Sequence, residues 1–385
     1  MTPPLMVACL ALAAWIYLLS FRGGFWLARE RDDADKPDPP RSWPTVTAIV
    51  PARDEAEMLP KSLASLLAQE YPVQFSIIVV DDQSEDGTSE VARKLAAGAG
   101  RDVKVIAGQP LQGGWTGKVW AMHQGLTHLD ASKALPDYVL FTDADIAYAP
   151  TTLRDLVARA RAHELVLTSV MAKLNCDSLA ERALIPAFVF FFQMLYPFAW
   201  VNRSSAKIAA AAGGCMLVES SALKRAGGLA RIRAALIDDC ALAALLKREG
   251  PIWLGLSERV RSVRPYPGVS GIRRMVARSA YAQLGYSPLL LFATLAGMAL
   301  TYLAPPLFAL FAAYPANLVG AAAWALMALA YLPILRLYRV SPLWAVALPL
   351  IAAAYVAFTL DSAYQHRRGK GGLWKGRSQA LAAKR

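Results

Sequence analysis

Tyr138-Val-Leu-Phe-Thr-Asp-Ala-Asp-Ile146 decides the fold. Four apolar or aromatic residues run into Thr142, and then Asp143 and Asp145 flank one small residue. A short unbroken apolar run fits a strand covered on both faces of a parallel sheet. In open α/β sheets the ligand crevice lies beyond the carboxyl ends of the strands. The two carboxylates therefore fall where a ligand sits, and their spacing suits a shared hard divalent cation that grips a diphosphate. The same tripeptide also reads as an Asx turn, with Asp145 capping a helix that begins near Pro150. The surrounding chain has to decide between the two.

Upstream, Val46-Thr-Ala-Ile-Val50, Phe75-Ser-Ile-Ile-Val-Val80 and Val103-Lys-Val-Ile106 are further short apolar runs. Helical spacing separates them over Met58 to Glu70, from Thr88 through Leu95, and within Trp115 to Leu129. This alternation predicts a parallel sheet with right-handed crossovers. Asp54, Asp82 and Asp143 each come just past the carboxyl end of a predicted strand, which places all three on one rim. Downstream the pattern predicts a basic amphipathic helix from Pro150 to His163 and a strand at Leu165 to Thr168. Ala209 to Gly214 is small and flexible, suited to close approach of backbone to a ligand. Cys215 to Val218 reads as a strand, and Leu236 to Leu246 as a helix with Asp238 and Asp239 in its first turn. Further short strands fall within Trp253 to Val263. Arg264-Pro-Tyr-Pro-Gly268 then leads to a basic helix over Ile272 to Leu284.

The rest of the chain looks membranous. Of 385 residues 56% are hydrophobic and 18% charged, too apolar for an ordinary soluble protein. Leu5 to Phe21 is long enough to span a bilayer. It has no basic residue before it, and Arg22, Arg29 and Arg31 follow. That order predicts an uncleaved anchor with its carboxyl end in the cytoplasm rather than a signal peptide. Residues 183–201 are apolar but carry Pro186, Gln193 and Pro197, which predicts a helix lying in the membrane interface beside the active site rather than a straight span or a buried core helix. Pro288 to Leu360 divides at Pro315-Ala-Asn317 and at Arg336 to Pro342 into three spans. Three spans after a cytoplasmic domain would carry the tail outside, yet its Arg367, Arg368, Lys370, Lys375 and Arg377 favour the inside. One apolar segment is then re-entrant or interfacial.

The predicted boundaries are an anchor over 1–22, a linker over 23–44, an α/β domain over 45–268 that includes segment 183–201, an amphipathic interfacial helix over 269–286, membrane helices over 287–361 and a basic tail over 362–385. The net charge of +12 gathers in Arg259 to Arg278 and Arg367 to Arg385, beside apolar stretches. This suits anionic lipid headgroups or a phosphorylated substrate, and the absence of an interleaved aromatic and basic pattern argues against nucleic acid. Cys9, Cys176, Cys215 and Cys240 form no C-x-x-C pair and read as reduced structural thiols.

Pro51-Ala-Arg-Asp-Glu55, Val79-Val-Asp-Asp-Gln-Ser-Glu-Asp-Gly-Thr88, Gly117-Lys118 with Ala121 and Gly125, Asp143-Ala-Asp145, Gly213-Gly214 and Asp238-Asp239 together resemble the family 2 glycosyltransferases, over about Trp43 to Pro267. The wider chain is similar to the hopene-associated glycosyltransferases of bacteria. That likeness rests on Gly113-Gly-Trp-Thr-Gly-Lys118, the aromatic segment Leu184 to Pro197, Ala235-Leu-Ile-Asp-Asp-Cys-Ala-Leu242, Tyr286-Ser-Pro288 and the terminal spans.

The resemblance implies a GT-A-like nucleotide-sugar-binding domain with a mostly parallel central sheet, flanked by N-terminal and C-terminal transmembrane helices. It implies a multi-pass protein of the bacterial inner membrane with its catalytic domain in the cytoplasm, a UDP-sugar donor, a lipid acceptor with hopanoids among the candidates, and a Mg2+ or Mn2+ cofactor.

Residue roles follow the motifs. Pro51, Asp54, Glu55 and Asp82 belong to the donor site. Asp54 and Asp82 accept hydrogen bonds from base and ribose, and a carboxylate suits the imide N–H of uracil. Lys118 neutralises diphosphate charge, with Gly113, Gly114 and Gly117 close to phosphate. Asp143 holds ribose or shares the metal, Asp145 binds the metal, and Gly213 and Gly214 line the substrate site. Asp239 is the implied general base, since displacement at an anomeric carbon needs the acceptor hydroxyl deprotonated as it attacks. Asp238 stands beside it where the family usually has Glu. Both acids also suit a helix N-terminus for its dipole alone.

The chain departs from the family at His123, where many relatives carry Asn. Gln283-Leu-Gly-Tyr286 lacks the Gln-x-x-Arg-Trp of processive synthases; Arg278 is an alternative phosphate ligand. The competing readings are a processive polysaccharide synthase and a non-catalytic nucleotide-sugar-binding membrane scaffold.

Overall fold

The computed structural model describes residues 2–131, 135–374 and 377–378; Lys375 of the basic tail lies outside the described residues. The chain divides into two compact units. One is built on a sheet and comprises Glu30–Asn175, Trp200–Pro265 and Leu373–Arg385. The other is helical and comprises Met1–Arg29, Cys176–Ala199 and Tyr266–Gly372. The sequence grouped segment 183–201 with the α/β domain, whereas Cys176–Ala199 packs among the helices.

The sheet strands are β1 (Val46–Ala52), β2 (Phe75–Asp81), β3 (Val103–Ala107), β4 (Tyr138–Thr142), β5 (Ile146–Tyr148), β6 (Leu167–Lys173), β7 (Cys215–Glu219) and β8 (Ile252–Ser262), in the order β3-β2-β1-β4-β7-β6-β8-β5. Strands β3, β2, β1 and β4 are parallel to one another. The other half corrects the expectation of a mostly parallel sheet. β7 is antiparallel to both β4 and β6, β5 is antiparallel to β8, and β6 and β8 are parallel, so the sheet is mixed. The register gives the reason. Cys215 of β7 pairs with Thr142 of β4, so β7 enters at the rim where β4 ends and runs back along it. That entry sets Gly213 and Gly214 next to Asp143.

Every residue of β1 and β4 is buried, as the unbroken apolar runs require. Helices α2 (Leu59–Leu67), α3 (Thr88–Ala97), α4 (Gly117–Ala131), α5 (Thr152–Ala162), α8 (Ser220–Arg225) and α9 (Asp238–Leu246) belong to this unit. α4 lies on β1 and β2, and Gly125 permits the approach: a Cβ there would stand 2.6 Å from Cγ2 of Ile49. From Glu30 onward the expected linker is part of the sheet unit. Arg31 forms a parallel bridge with Leu256, and the buried Asp32 accepts from Ser257 Oγ at 2.7 Å and Arg259 Nε at 3.2 Å.

The helical unit contains α1 (Pro3–Phe21), α6 (Leu179–Leu195), α10 (Gly268–Gln283), α11 (Pro288–Met298), α12 (Ala304–Phe311), α13 (Ala316–Tyr338) and α14 (Leu348–Arg367); the short α7 (Phe198–Val201) lies at the chain junction between the units. Four segments among the described residues are long and apolar enough to cross a membrane: Pro3–Phe21, Leu179–Val201, Pro288–Phe311 and Ala316–Tyr338. α6 differs from its expected form. Pro186 does not break it, and a capping box of Ser178 and Glu181 starts it. Its aromatic residues are packed inside this unit, Phe190 against Tyr331 at 5.3 Å and Phe191 against Tyr355 at 4.9 Å between ring centroids, and Gln193 is buried.

Candidate active site

The site lies on the rim where β1 and β4 part. Their pairing ends at Ile49 and Phe141, while β1 continues to Ala52. The strand order turns outward in opposite directions from this pair, the place where open α/β sheets hold their ligands. Pro51 falls past the last β1–β4 pair, so its missing N–H breaks no ladder bond to β4.

Beyond β1 the chain is stapled to the end of β2. Arg53 donates to the carbonyls of Asp82 and Gln83 at 2.5 and 3.1 Å. Asp54 takes a left-handed backbone at φ 51°, which Asp tolerates better than most residues. Its N–H donates to Ser84 Oγ and its Oδ1 accepts from the Glu85 N–H, each at 3.0 Å. Asp82 is fully buried, with Oδ2 3.9 Å from an Arg53 nitrogen. Asp54 and Asp82 thus meet on the same rim through Arg53.

The second cluster forms around Lys118, in the first turn of α4. Its Nζ lies 2.7 Å from Asp143 Oδ1 and 3.4 Å from Asp238 Oδ2. Burial works against the lysine charge, but Asp143 and Asp238 outweigh it and hold its pKa above the ordinary value. Asp143 is itself pushed up by burial, against the pull of Lys118. Asp239 follows Asp238 at the start of α9. Its Oδ2 accepts from the Gly213 N–H at 2.9 Å and its Oδ1 from the Cys240 N–H at 2.7 Å. Burial, with Asp238 alongside, raises its pKa to about 6, opposed by Lys118 and the two backbone donors. Gly213 is needed for closeness: a Cβ there would stand 2.9 Å from Lys118 Nζ and 3.3 Å from Asp239 Oδ2. Thr142 fixes the next residue, donating from Oγ1 to the Gly214 carbonyl at 2.9 Å while accepting from the Tyr148 hydroxyl at 2.6 Å.

The third cluster holds a residue that the sequence reading passed over. Arg264 stands just after β8. Its Nε donates to Asp145 Oδ2 at 2.7 Å, and one terminal nitrogen donates to both carboxylate oxygens of Glu55. Glu55 and Asp145 are largely buried, and their charges, working against burial, raise the arginine pKa further. The one signal in the sequence was an arginine just past a strand end, and it is lost within the basic run Arg259 to Arg278. His123 stacks on Trp115 with centroids 4.6 Å apart, and burial lowers its pKa, which favours the neutral ring.

Asp143 and Asp145 offer hard oxygen ligands, each with its second carboxylate oxygen outside the hydrogen bonds and ion pairs just given. Among the described residues no group of three or more His, Cys, Asp or Glu is placed to hold a metal ion. A pair of carboxylates could hold Mg2+ or Mn2+ in the manner of sites that use one or two carboxylates and complete the shell with substrate phosphate and water.

Comparison with known proteins bears on the same region. Residues 47–227 match the model of glycosyl transferase family 2. The 4,4'-diaponeurosporenoate glycosyltransferases of Staphylococcus aureus (strain bovine RF122 / ET3-1) and Staphylococcus haemolyticus (strain JCSC1435) are each 36% identical to the chain, over 104 and 102 residues. Those stretches are 27% and 26% of this chain and 24% of each relative, so the match spans about a quarter of these curated proteins. Among solved structures, the mannosyltransferase PcManGT from Pyrobaculum calidifontis, in complex with GDP-Man and Mn2+, superposes with a TM-score of 0.57. It covers 97% of this chain and 100% of that one at 21% identity, a likeness of fold.

Proposed function

We propose that the chain is a membrane-bound inverting glycosyltransferase that moves a sugar from a UDP donor to a lipid acceptor, a reading supported by the match of residues 47–227 to the glycosyl transferase family 2 model and by the GT-A-like fold. The observation that carries this is the Lys118 cluster. One ammonium ties Asp143, at the end of β4, to Asp238, at the start of α9, directly beside Gly213 and Asp239. Asp143, Asp238 and Asp239 thereby lie together at the topological switch point, which supports this reading.

Asp54 and Asp82, held by Arg53, would take the base and ribose. Lys118 would balance the diphosphate. When bound, Mg2+ or Mn2+ on Asp143 and Asp145 would supply electrophilic stabilisation of the leaving diphosphate. Asp239 accepts the proton of the acceptor hydroxyl as its oxygen attacks the anomeric carbon and the bond to the diphosphate breaks on the opposite face. A carboxylate at about 6 is ionised at neutral pH, yet is a better base than an ordinary aspartate. The Asp239 bonds to Gly213 and Cys240 fix where that base stands.

The staphylococcal relatives, as 4,4'-diaponeurosporenoate glycosyltransferases, support a lipid acceptor, and the hopene-associated resemblance points to hopanoids within that class. The apolar helices support residence in the bacterial inner membrane, with the α/β domain on the cytoplasmic side. The test is transfer by the purified full chain in lipid nanodiscs. It is offered a panel of nucleotide sugars and a hopanoid-containing lipid extract, with and without Mn2+. The expected result is UDP release coupled to a single-sugar glycolipid. Long products would favour a polysaccharide synthase, and donor binding without turnover would favour a scaffold.

A further inference from the structure

Arg264 is a cation already seated at the acid proposed to bind the metal. Its Nε holds Asp145 Oδ2 at 2.7 Å, and its terminal nitrogen holds both oxygens of Glu55. Ser262 Oγ, two residues earlier, adds a long contact to the same Asp145 oxygen at 3.4 Å. The Arg264 side chain is about a third exposed, and those of Glu55 and Asp145 far less. Ion pairs at this depth are screened much less than surface pairs. A divalent cation approaching the Asp145 carboxylate therefore meets a positive charge already 2.7 Å from one of its oxygens. A guanidinium also matches phosphate oxygens in its fork geometry, so a diphosphate is a competing partner that draws it off the acids.

We infer that Arg264 is a counter-ion which makes divalent-cation binding conditional on the nucleoside diphosphate: the diphosphate takes over the guanidinium, and Asp145 is released to the metal. The inference rests on the transferase reading and adds an order to it. Cation and donor bind cooperatively, and linkage requires each to tighten the other by the same factor. Glu55 takes part as well. It is the second anchor that keeps Arg264 across Asp145, and it stays at the site when the arginine turns to phosphate.

The test is Mn2+ titration of the full chain in nanodiscs, read by loss of the free-ion electron paramagnetic resonance signal, with and without UDP. Wild type is expected to bind Mn2+ weakly alone and at least tenfold more tightly with saturating UDP. Arg264→Gln is expected to bind Mn2+ alone at least tenfold more tightly than wild type, and to gain less from UDP. Arg264→Lys keeps the charge and is expected to stay within about threefold of wild type for Mn2+ alone, which guards against a variant that merely misfolds. Equal Mn2+ affinity in wild type with and without UDP overturns the inference, as does an Arg264→Gln protein that binds Mn2+ alone no more tightly. Calorimetric binding of UDP in the same samples separates the two readings. UDP that binds without coupling to Mn2+ overturns this inference and leaves the donor site standing, whereas UDP that does not bind removes both.

Discussion

At the scale of the residue, Asp239 carries the proposed chemistry and its environment sets the pH at which it works. Burial beside Asp238 raises its pKa to about 6. A raised carboxyl pKa means that the base takes up its proton as pH falls through about 6 and is ready above it. In wild type, kcat/KM is therefore expected to be flat near neutrality and to fall on the acid side of about 6. Asp239→Asn should lower kcat by about 10²- to 10⁴-fold, the usual worth of a positioned base, and abolish that acid limb, with UDP affinity within about threefold of wild type. Full activity in Asp239→Asn would remove the assignment. Gly213→Ala probes the same point from the backbone. Its Cβ would press on Lys118 Nζ at 2.9 Å and on Asp239 Oδ2 at 3.3 Å. Displacing both groups by a fraction of an ångström should cost about tenfold to 10²-fold in kcat, measured beside an unchanged thermal transition.

At the scale of the element, the site depends on how closely α4 lies on β1, since α4 carries Lys118 and β1 leads to Asp54. Gly125→Val would place a branched side chain against Ile49 Cγ2, 2.6 Å from the position of its Cβ. Overpacking of this kind costs about 1–3 kcal/mol, so urea unfolding of the variant should show a lower midpoint. The parallel half of the sheet was legible in the sequence because β1, β2 and β4 are short apolar runs and the chain returns between them through helices. The other half was not, for physical reasons. An apolar run such as Cys215 to Val218 states that a strand is buried and says nothing of its direction. β5 has three residues, too few to show a period. Pro186 reads as a break, yet the helix closes around it because its aromatic neighbours are covered by Tyr331 and Tyr355. The acids on the rim were legible because three of them follow strand ends. Arg264 was not, because its two partners lie 119 and 209 residues away.

At the scale of the molecule, a sheet unit that carries the acids and a helical unit that carries the apolar segments are built from one interleaved chain. Four helices of spanning length predict an integral membrane protein, which alkaline carbonate should leave in the pellet and detergent should release. Recovery in the carbonate supernatant would contradict membrane insertion. The central claim is a single displacement at the anomeric carbon, with Asp239 opposite the departing diphosphate. The glycolipid formed from a UDP-α-sugar, isolated and read by the proton coupling at its anomeric carbon, tests this most directly. A β-linked product is the predicted result, and an α-linked product would contradict it.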